Sequence, residues 1–320
     1  MSPRCLVRGS LNIDEFFHVQ GIVRPGQTIS STGFERRGGG KGANQAAAVA
    51  RAGEPVSIVG AVGDDGAWLL RDLKEMGVSV DGVCTVSVRM PRLALCGALS
   101  VCVTVIYALR TQEPTGRAII QLTPAGENCI ILHKGANYAL QDTPAQIEQS
   151  LLGMSHLLLQ NEIPWQTTVA YLTHAHDRGL VTVFNPSPMP SDDEIRSTYA
   201  PRIGDIGKAG PKRAAAVHEH RVTLGAAGVV ALTVGALMPV YLLAAELQGD
   251  VRDTTGAGDC FTGYLVAGLM QVDPSEVLTT REATTLLRRS VQAAGMCVEK
   301  RGATESMPKR VDVEARLSEN

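Results

Sequence analysis

The chain has 320 residues, 44% of them hydrophobic and 19% charged, with a formal net charge of -2. That length can bury a sizeable core. The near-neutral charge leaves no basic field to hold nucleic acid or an anionic membrane, so a small-molecule partner is favoured.

The first residues, MSPRCLVRGSLNID, hold no apolar stretch long enough for a signal peptide, and the C-terminus carries no lipidation motif. Cytoplasmic residence, alone or together with the nucleus, is the expectation. Seven cysteines (Cys5, Cys84, Cys96, Cys102, Cys129, Cys260 and Cys297) are odd in number and form no Cys-x-x-Cys pair. Such usage fits a reducing compartment better than a disulfide framework or a structural zinc site.

Short apolar runs at 5–7, 56–59 and 181–184 close on Gly9, Gly60 and Asn185-Pro186 and alternate with helical stretches. Runs of this kind read as buried parallel strands in βαβ units, and the predicted fold is an α/β doubly wound, mainly parallel sheet flanked by helices. One domain spans 1–320. After the first strand, residues 13–38 alternate apolar and polar positions around Pro25-Gly26, which predicts a hairpin. Residues 117–134 hold two strand-like runs around a Pro-Ala-Gly-Glu-Asn turn. Together, strands at about 15–37 and 115–134 would form a small sheet projecting from the main domain, a natural lid. The Ala-rich segment GANQAAAVARA follows a glycine cluster and predicts a helix starting near Gly42.

Two stretches resist this pattern. Residues 93–109 carry no charge over 17 positions, at the lower edge of what spans a bilayer. Arginines flank that run on both sides, giving no charge asymmetry, and it interrupts an α/β pattern, so a membrane span is disfavoured. Residues 199–221 contain three glycines and two prolines where a strand and helix would be expected.

The run Asp253-Thr-Thr-Gly-Ala-Gly-Asp259 carries the strongest chemical signal. Gly256, Ala257 and Gly258 let backbone N–H groups point into one space, and a helix starting near Asp259 adds its positive end, so an anion hole is expected. Phosphoryl transfer develops negative charge that donors fixed in advance stabilise. A carboxylate beside them is placed to deprotonate an attacking hydroxyl. Alone, the run reads equally well as a tight turn with Asp259 as a helix cap. The run Gly38-Gly-Gly-Lys-Gly-Ala-Asn44, after Asn12-Ile-Asp14, brings together Asn12, Asp14, Lys41 and Asn44 as polar groups suited to a sugar. It is not a Walker A loop, because Gly42 follows Lys41. A glycine turn at Thr223-Leu-Gly-Ala-Ala-Gly228 could lie against a nucleotide. The pairs His174 with His176 and His218 with His220 are two residues apart, a spacing that does not bring helical side chains to one face, so a metal site there is disfavoured.

In this order, NID, GGGKGANQA, NPSP at Asn185, TLGAAG and DTTGAGDCFTGYL resemble the ribokinase-like (PfkB) family of carbohydrate kinases. The resemblance implies ATP-dependent phosphorylation of D-ribose at its 5-hydroxyl, with a homodimer formed through the lid. It implies sugar contacts from Asn12, Ile13, Asp14, Gly40, Lys41, Gly42, Ala43, Asn44, Glu162 and Asp259. Asp259 would be the base, with Gly256, Ala257 and Gly258 forming the anion hole. ATP would meet Asn185, Thr223, Leu224, Gly225, Ala226, Ala227, Gly228 and Gly258, accompanied by Mg2+. A monovalent cation, K+, would sit near Asp253, Thr255, Val298, Arg301, Ala303 and Met307. Alternatives are a kinase of the same family acting on another sugar or a nucleoside, and a sugar-binding homologue impaired in turnover. Two departures stand out: residues 89–112 read as an insertion, and the family's Asn-x-x-Glu strand end is missing from 199–221, which looks about one strand and helix short.

Overall fold

The structure is a computed structural model and describes residues 2–86, 113–194, 220–232, 239–273 and 276–319. The insertion read at 89–112, with the apolar run inside it, lies outside the described residues. So does the shortened stretch read at 199–221, except for its last two residues, which open a strand.

Five strands, β1 (Cys5–Arg8), β4 (Val56–Gly63), β5 (Ser79–Val86), β8 (His156–Gln160) and β9 (Val181–Asn185), pair in parallel in the order β5-β4-β1-β8-β9. All three predicted runs lie in this sheet. Residues facing opposite ways from β1 enter different cores, as alternation along a strand requires. Cys5 and Val7 join Ala46, Ala47, Ile58, Leu158, Val266 and Met296, while Leu6 joins Ile147, Leu157, Leu159 and Tyr171. Helices therefore cover both faces: α1 (Lys41–Arg51), α5 (Ala257–Leu269) and α6 (Thr280–Val298) line one, and α3 (Pro144–Leu151) and α4 (Trp165–Asp177) line the other. Arg8 also points to the second face, where its Nε meets the Asp142 carboxylate at 2.7 Å. Helices α2 (Ala67–Glu75) and α7 (Arg310–Glu319) complete the described helices of more than one turn.

The order of strands reverses at β1. Sheets of this kind open a crevice at the carboxyl ends of the strands flanking such a reversal, here the ends of β1 and β8. Helix α1 begins directly over that crevice. A side-chain carbon on Gly42 would lie 2.6 Å from the carbonyl carbon of Gly9 and from the amide of Ser10, so only glycine lets the helix approach this closely.

The lid is a four-stranded sheet in the order β3-β2-β6-β7, made of β2 (Asn12–His18), β3 (Gly33–Gly39), β6 (Gly116–Leu122) and β7 (Asn128–His133). Both predicted hairpins form, each antiparallel, and they join through a parallel pairing of β2 with β6. The first hairpin is longer-looped than its alternation suggests, with residues 19–32 between the strands and the Pro25-Gly26 turn in that loop. Arg117 anchors the lid, reaching Glu15 and Asp65 at 2.5 Å each, and Thr115 Oγ1 donates to Asp65 at 2.7 Å.

A third sheet, β10 (His220–Thr223), β11 (Val229–Leu232) and β12 (Val240–Leu242), is antiparallel and separate from the central one. Val229 and Ala231 pack it on Phe261, Leu265 and Leu287. Among the described residues, no helix is long and apolar enough to cross a membrane.

Candidate active site

The crevice at the reversal point collects the predicted residues from four elements. β2 starts with Asn12 and Asp14, α1 starts with Lys41 and Asn44, the turn after β8 carries Glu162, and α5 carries Asp259 in its first turn. Asn12, Asp14, Asn44 and Asp259 are all buried.

Asp259 is not the helix cap. Helix α5 begins two residues earlier at Ala257, and Gly256 is its N-cap in the left-handed region at φ 79°, where a side chain would be strained. Instead of capping, the Asp259 carboxylate crosses to α1: Oδ2 accepts from Asn44 Nδ2 at 2.9 Å and Oδ1 accepts from Gln45 Nε2 at 2.8 Å. Burial pushes its pKa upward, and the Lys41 ammonium and the two amide donors act against that rise. A buried carboxyl whose pKa is raised, with a cation and two amide donors opposing the rise, suits a general base.

Asp14 lies close by. Burial, reinforced by Glu162, Asp259 and Glu305, lifts its pKa to about 7, with Lys41 opposing. Glu162 Oε2 accepts from Ser10 Oγ at 2.6 Å and from the Lys41 backbone N–H at 3.0 Å, tying the turn after β8 to the start of α1. Asn12 Oδ1 accepts from Asn137 Nδ2 at 2.7 Å, which leaves the Asn12 amide to donate elsewhere. Asn44 Oδ1 is buried without a partner. An unsatisfied buried acceptor is costly, and a ligand hydroxyl at this position would satisfy it. Ile13 is fully buried in β2, and Gly40 and Ala43 are buried where the lid strand β3 turns into α1. Their placement leaves these three only backbone groups and packing to offer.

On the far side of Asp259, the first N–H groups of α5 have no partners within the helix. A side-chain carbon at Gly258 would meet nothing within 4 Å, so the space in front of this helix start is open. Helix N-termini with such space accept phosphate. Asn185, at the end of β9, donates from Nδ2 to Thr262 Oγ1 at 3.3 Å, and that hydroxyl donates to the Gly258 carbonyl at 2.9 Å. Asn185 thus reaches the first turns of α5 through Thr262. Thr223, Leu224, Gly225, Ala226 and Ala227 form an exposed turn ahead of Gly228, on the antiparallel β10–β11 ribbon rather than on the central sheet.

Asp253 organises the loop before α5. Its Oδ1 accepts from the Thr255 N–H at 2.9 Å and its Oδ2 from the Gly302 N–H at 3.0 Å. The Ala303 carbonyl accepts from Ser306 Oγ at 2.8 Å. Asp253, Thr255 and Ala303 carry oxygens of the hard type, and those of Asp253 and the Ala303 carbonyl already accept the hydrogen bonds just given. The Val298 carbonyl likewise already accepts, from the N–H groups of Arg252 and Asp253 at 2.8 and 3.3 Å. Arg301 is exposed, and the Met307 side chain is buried in the main core, so either would reach a cation only through its backbone. Among the described residues, no three His, Cys, Asp or Glu side chains are grouped to hold a metal ion. His174 bonds Glu148 at 2.5 Å.

Ser10, Gln45, Asn137 and Gln160 belong to this crevice and escaped the motif reading. Gln45 directly follows Asn44 in GGGKGANQA and was within reach of it. The other three sit outside any glycine signature.

Comparisons with known proteins agree with this geometry. The profile described as pfkB family carbohydrate kinase matches residues 2–96 and 188–310. The ribokinase of Haemophilus influenzae is 27% identical over 333 residues, covering 97% of this chain and 97% of its own length. Among solved structures, the ribokinase of Cryptococcus neoformans var. grubii in complex with ADP is 41% identical with a TM-score of 0.75, covering 99% of this chain and 100% of that one. The Arabidopsis thaliana ribokinase complexed with ribose and ATP is 26% identical with a TM-score of 0.72, covering 99% of each chain.

Proposed function

The chain belongs to the pfkB family of carbohydrate kinases, and from that premise we propose that it transfers the γ-phosphoryl group of ATP to the 5-hydroxyl of D-ribose. The observation that carries this reading is the meeting of Asp14, Asn44, Glu162 and Asp259 at one strand-order reversal, with the Asn44 acceptor buried and unpartnered. A small polyhydroxylated ligand fits such a set, because carboxylates accept its hydroxyl protons and amides offer both donors and acceptors. The solved relatives described as ribokinases, one with ADP and one with ribose and ATP, support the substrate pair.

In this reading, Asn12, Asp14, Lys41, Asn44 and Glu162 orient the sugar, and Asp259 takes the proton of the 5-hydroxyl. The freed oxygen attacks the γ-phosphorus in line, and ADP leaves. Gly256, Ala257 and Gly258 offer backbone N–H groups to the charge that develops on the phosphate oxygens. Asn185 and the Thr223–Gly228 turn, residues 223–228, would border the nucleotide. Mg2+, carried in with ATP, supplies charge neutralisation at the phosphates. K+ is proposed on the loop of Asp253, Thr255 and Ala303, with Arg301 and Met307 reaching it through their carbonyls. Work in the cytoplasm fits the cysteine usage.

ADP formation with D-ribose, D-fructose and adenosine, each with and without K+, tests the reading. Turnover with ribose in clear preference, stimulated by K+, is expected. Ribose binding without turnover would leave the sugar-binding homologue, and preference for adenosine would leave the nucleoside kinase.

The lid supports a homodimer. Among the described strands, β7 is a sheet edge that exposes Ile130, Ile131 and Leu132 by 51, 56 and 57%, and Phe34 of β3 is 51% exposed. Edges and apolar patches of this kind call for a partner. Sedimentation velocity should find a dimer that Ile131→Lys converts to monomer; a monomeric wild-type chain would refute the lid interface.

A further inference from the structure

Asp259 is joined to β8 through a chain of amides. Gln45 Nε2 donates to Asp259 Oδ1 at 2.8 Å, and Gln160 Nε2 donates to Gln45 Oε1 at 2.6 Å. Gln45 and Gln160 are both fully buried.

The polarity of this chain is dictated from one end. An ionised carboxylate only accepts, so Gln45 must turn its NH2 toward Asp259 and its oxygen toward Gln160. Gln160 must then present its own NH2. Without Gln160, only the carboxylate would hold the Gln45 amide in that sense, and the Gln45 oxygen would lose its donor. Gln160 also keeps its own Oε1 buried without a partner, an arrangement that costs free energy and persists only where its other contact is worth the expense. Its place matters too: Gln160 ends β8, two residues before Glu162.

We infer that Gln45 and Gln160 are positioning residues for phosphoryl transfer, a two-amide relay that fixes the orientation of the Asp259 carboxylate and links it to the strand carrying Glu162. The inference rests on the base role proposed above for Asp259. Asn44 holds the second carboxylate oxygen but keeps its own Oδ1 without a partner, so its amide is not locked in the same way; the relay supplies a fixed contact at the other oxygen.

The relay has a signature that a packing role lacks. Donation from Gln45 favours the ionised carboxylate, so its loss raises the pKa of the base. Activity that needs ionised Asp259 then begins at higher pH. The other groups facing Asp259 are Lys41 on α1, Glu162 after β8, Asp14 on β2, Cys260 on its own helix and Cys297 on α6. All of them remain in the variants below.

The test compares wild type, Gln45→Leu, Gln160→Met, the double variant and Asp259→Asn in ribose kinetics across pH, alongside ribose binding by calorimetry. Gln45→Leu should lower kcat by ~10- to 100-fold, up to the low end of what a positioned general base contributes, because the base is misdirected rather than removed. The acidic limb of its kcat/KM profile should move to higher pH, while ribose Kd changes less than ~3-fold. Gln160→Met should shift the limb in the same direction by less, and add nothing to Gln45→Leu, because contacts acting as a unit are not additive. A limb that stays in place in both single variants, or losses that simply add, would overturn the relay. If Gln45→Leu does not fold, Gln160→Met carries the test, since it leaves every direct contact of Asp259 intact. Full turnover in Asp259→Asn would sink the base reading instead, so the two failures are told apart.

Discussion

Asp259→Asn should lower kcat for ribose phosphorylation by ~1,000-fold or more, toward the upper range for loss of a general base, while ribose affinity changes less than ~3-fold. The amide is close in size to the carboxylate but cannot take a proton. Its neighbours can adapt: Asn44 has a buried Oδ1 without a partner, and turning its amide offers that oxygen to a new NH2 group. Folding should not suffer. Burial raises the Asp259 pKa, so the ionised carboxylate opposes folding, and that contribution is absent in the variant. Single-turnover kinetics, ribose calorimetry and thermal unfolding at neutral pH check the three expectations. Retained turnover would refute the base assignment, and a large loss of ribose affinity would mean that Asp259 acts mainly in binding.

Asp14→Asn should raise the KM for ribose by ~10- to 100-fold, the range that follows from losing a hydrogen bond to a charged group. Asp14 sits among Glu162, Asp259 and Glu305 in a buried place, and its pKa rises to about 7. As pH increases through that value, Asp14 becomes a charged acceptor for sugar hydroxyls. Wild-type ribose affinity should therefore improve between pH 6 and 8, and Asp14→Asn should flatten that dependence. Stability runs the opposite way. A carboxyl whose folded pKa lies above its unfolded value contributes stability that is present below the unfolded pKa and lost as pH rises through about 7. The unfolding temperature of wild type should fall across this window, and that of Asp14→Asn should fall less. A ribose KM unaltered by the substitution would remove Asp14 from the sugar site. Together with the relay, these changes separate two carboxylate roles in one crevice: Asp259 as base and Asp14 as a titrating sugar ligand.

Much of this crevice was legible in the sequence because its needs are local. Gly42 is required where α1 approaches the backbone of Gly9 and Ser10, and Gly256 where the chain turns left-handed before α5. Small residues at close approaches, followed by a helix, leave a mark in consecutive letters. The same holds for β1, β4 and β9, whose apolar runs end on turn residues. The lid hairpins showed through their alternation.

The remainder depends on which distant strand ends meet, and no local pattern records that. Asn44 and Gln45 reach Asp259 across more than 200 residues, and Ser10 reaches Glu162 across 152. β2 and β6 join two hairpins in parallel across about a hundred residues, a pairing neither turn dictates. The small β10–β12 sheet formed apart from the central one, so the turn at Thr223 stands on an antiparallel ribbon. By itself, the sequence determined which residues could carry phosphoryl transfer, because glycine geometry and carboxylate chemistry are properties of short segments. Only the tertiary structure decided how Asp259 is held: a buried carboxylate needs donors from elsewhere, and packing α1 and β8 against α5 brought Asn44, Gln45 and Gln160 to it.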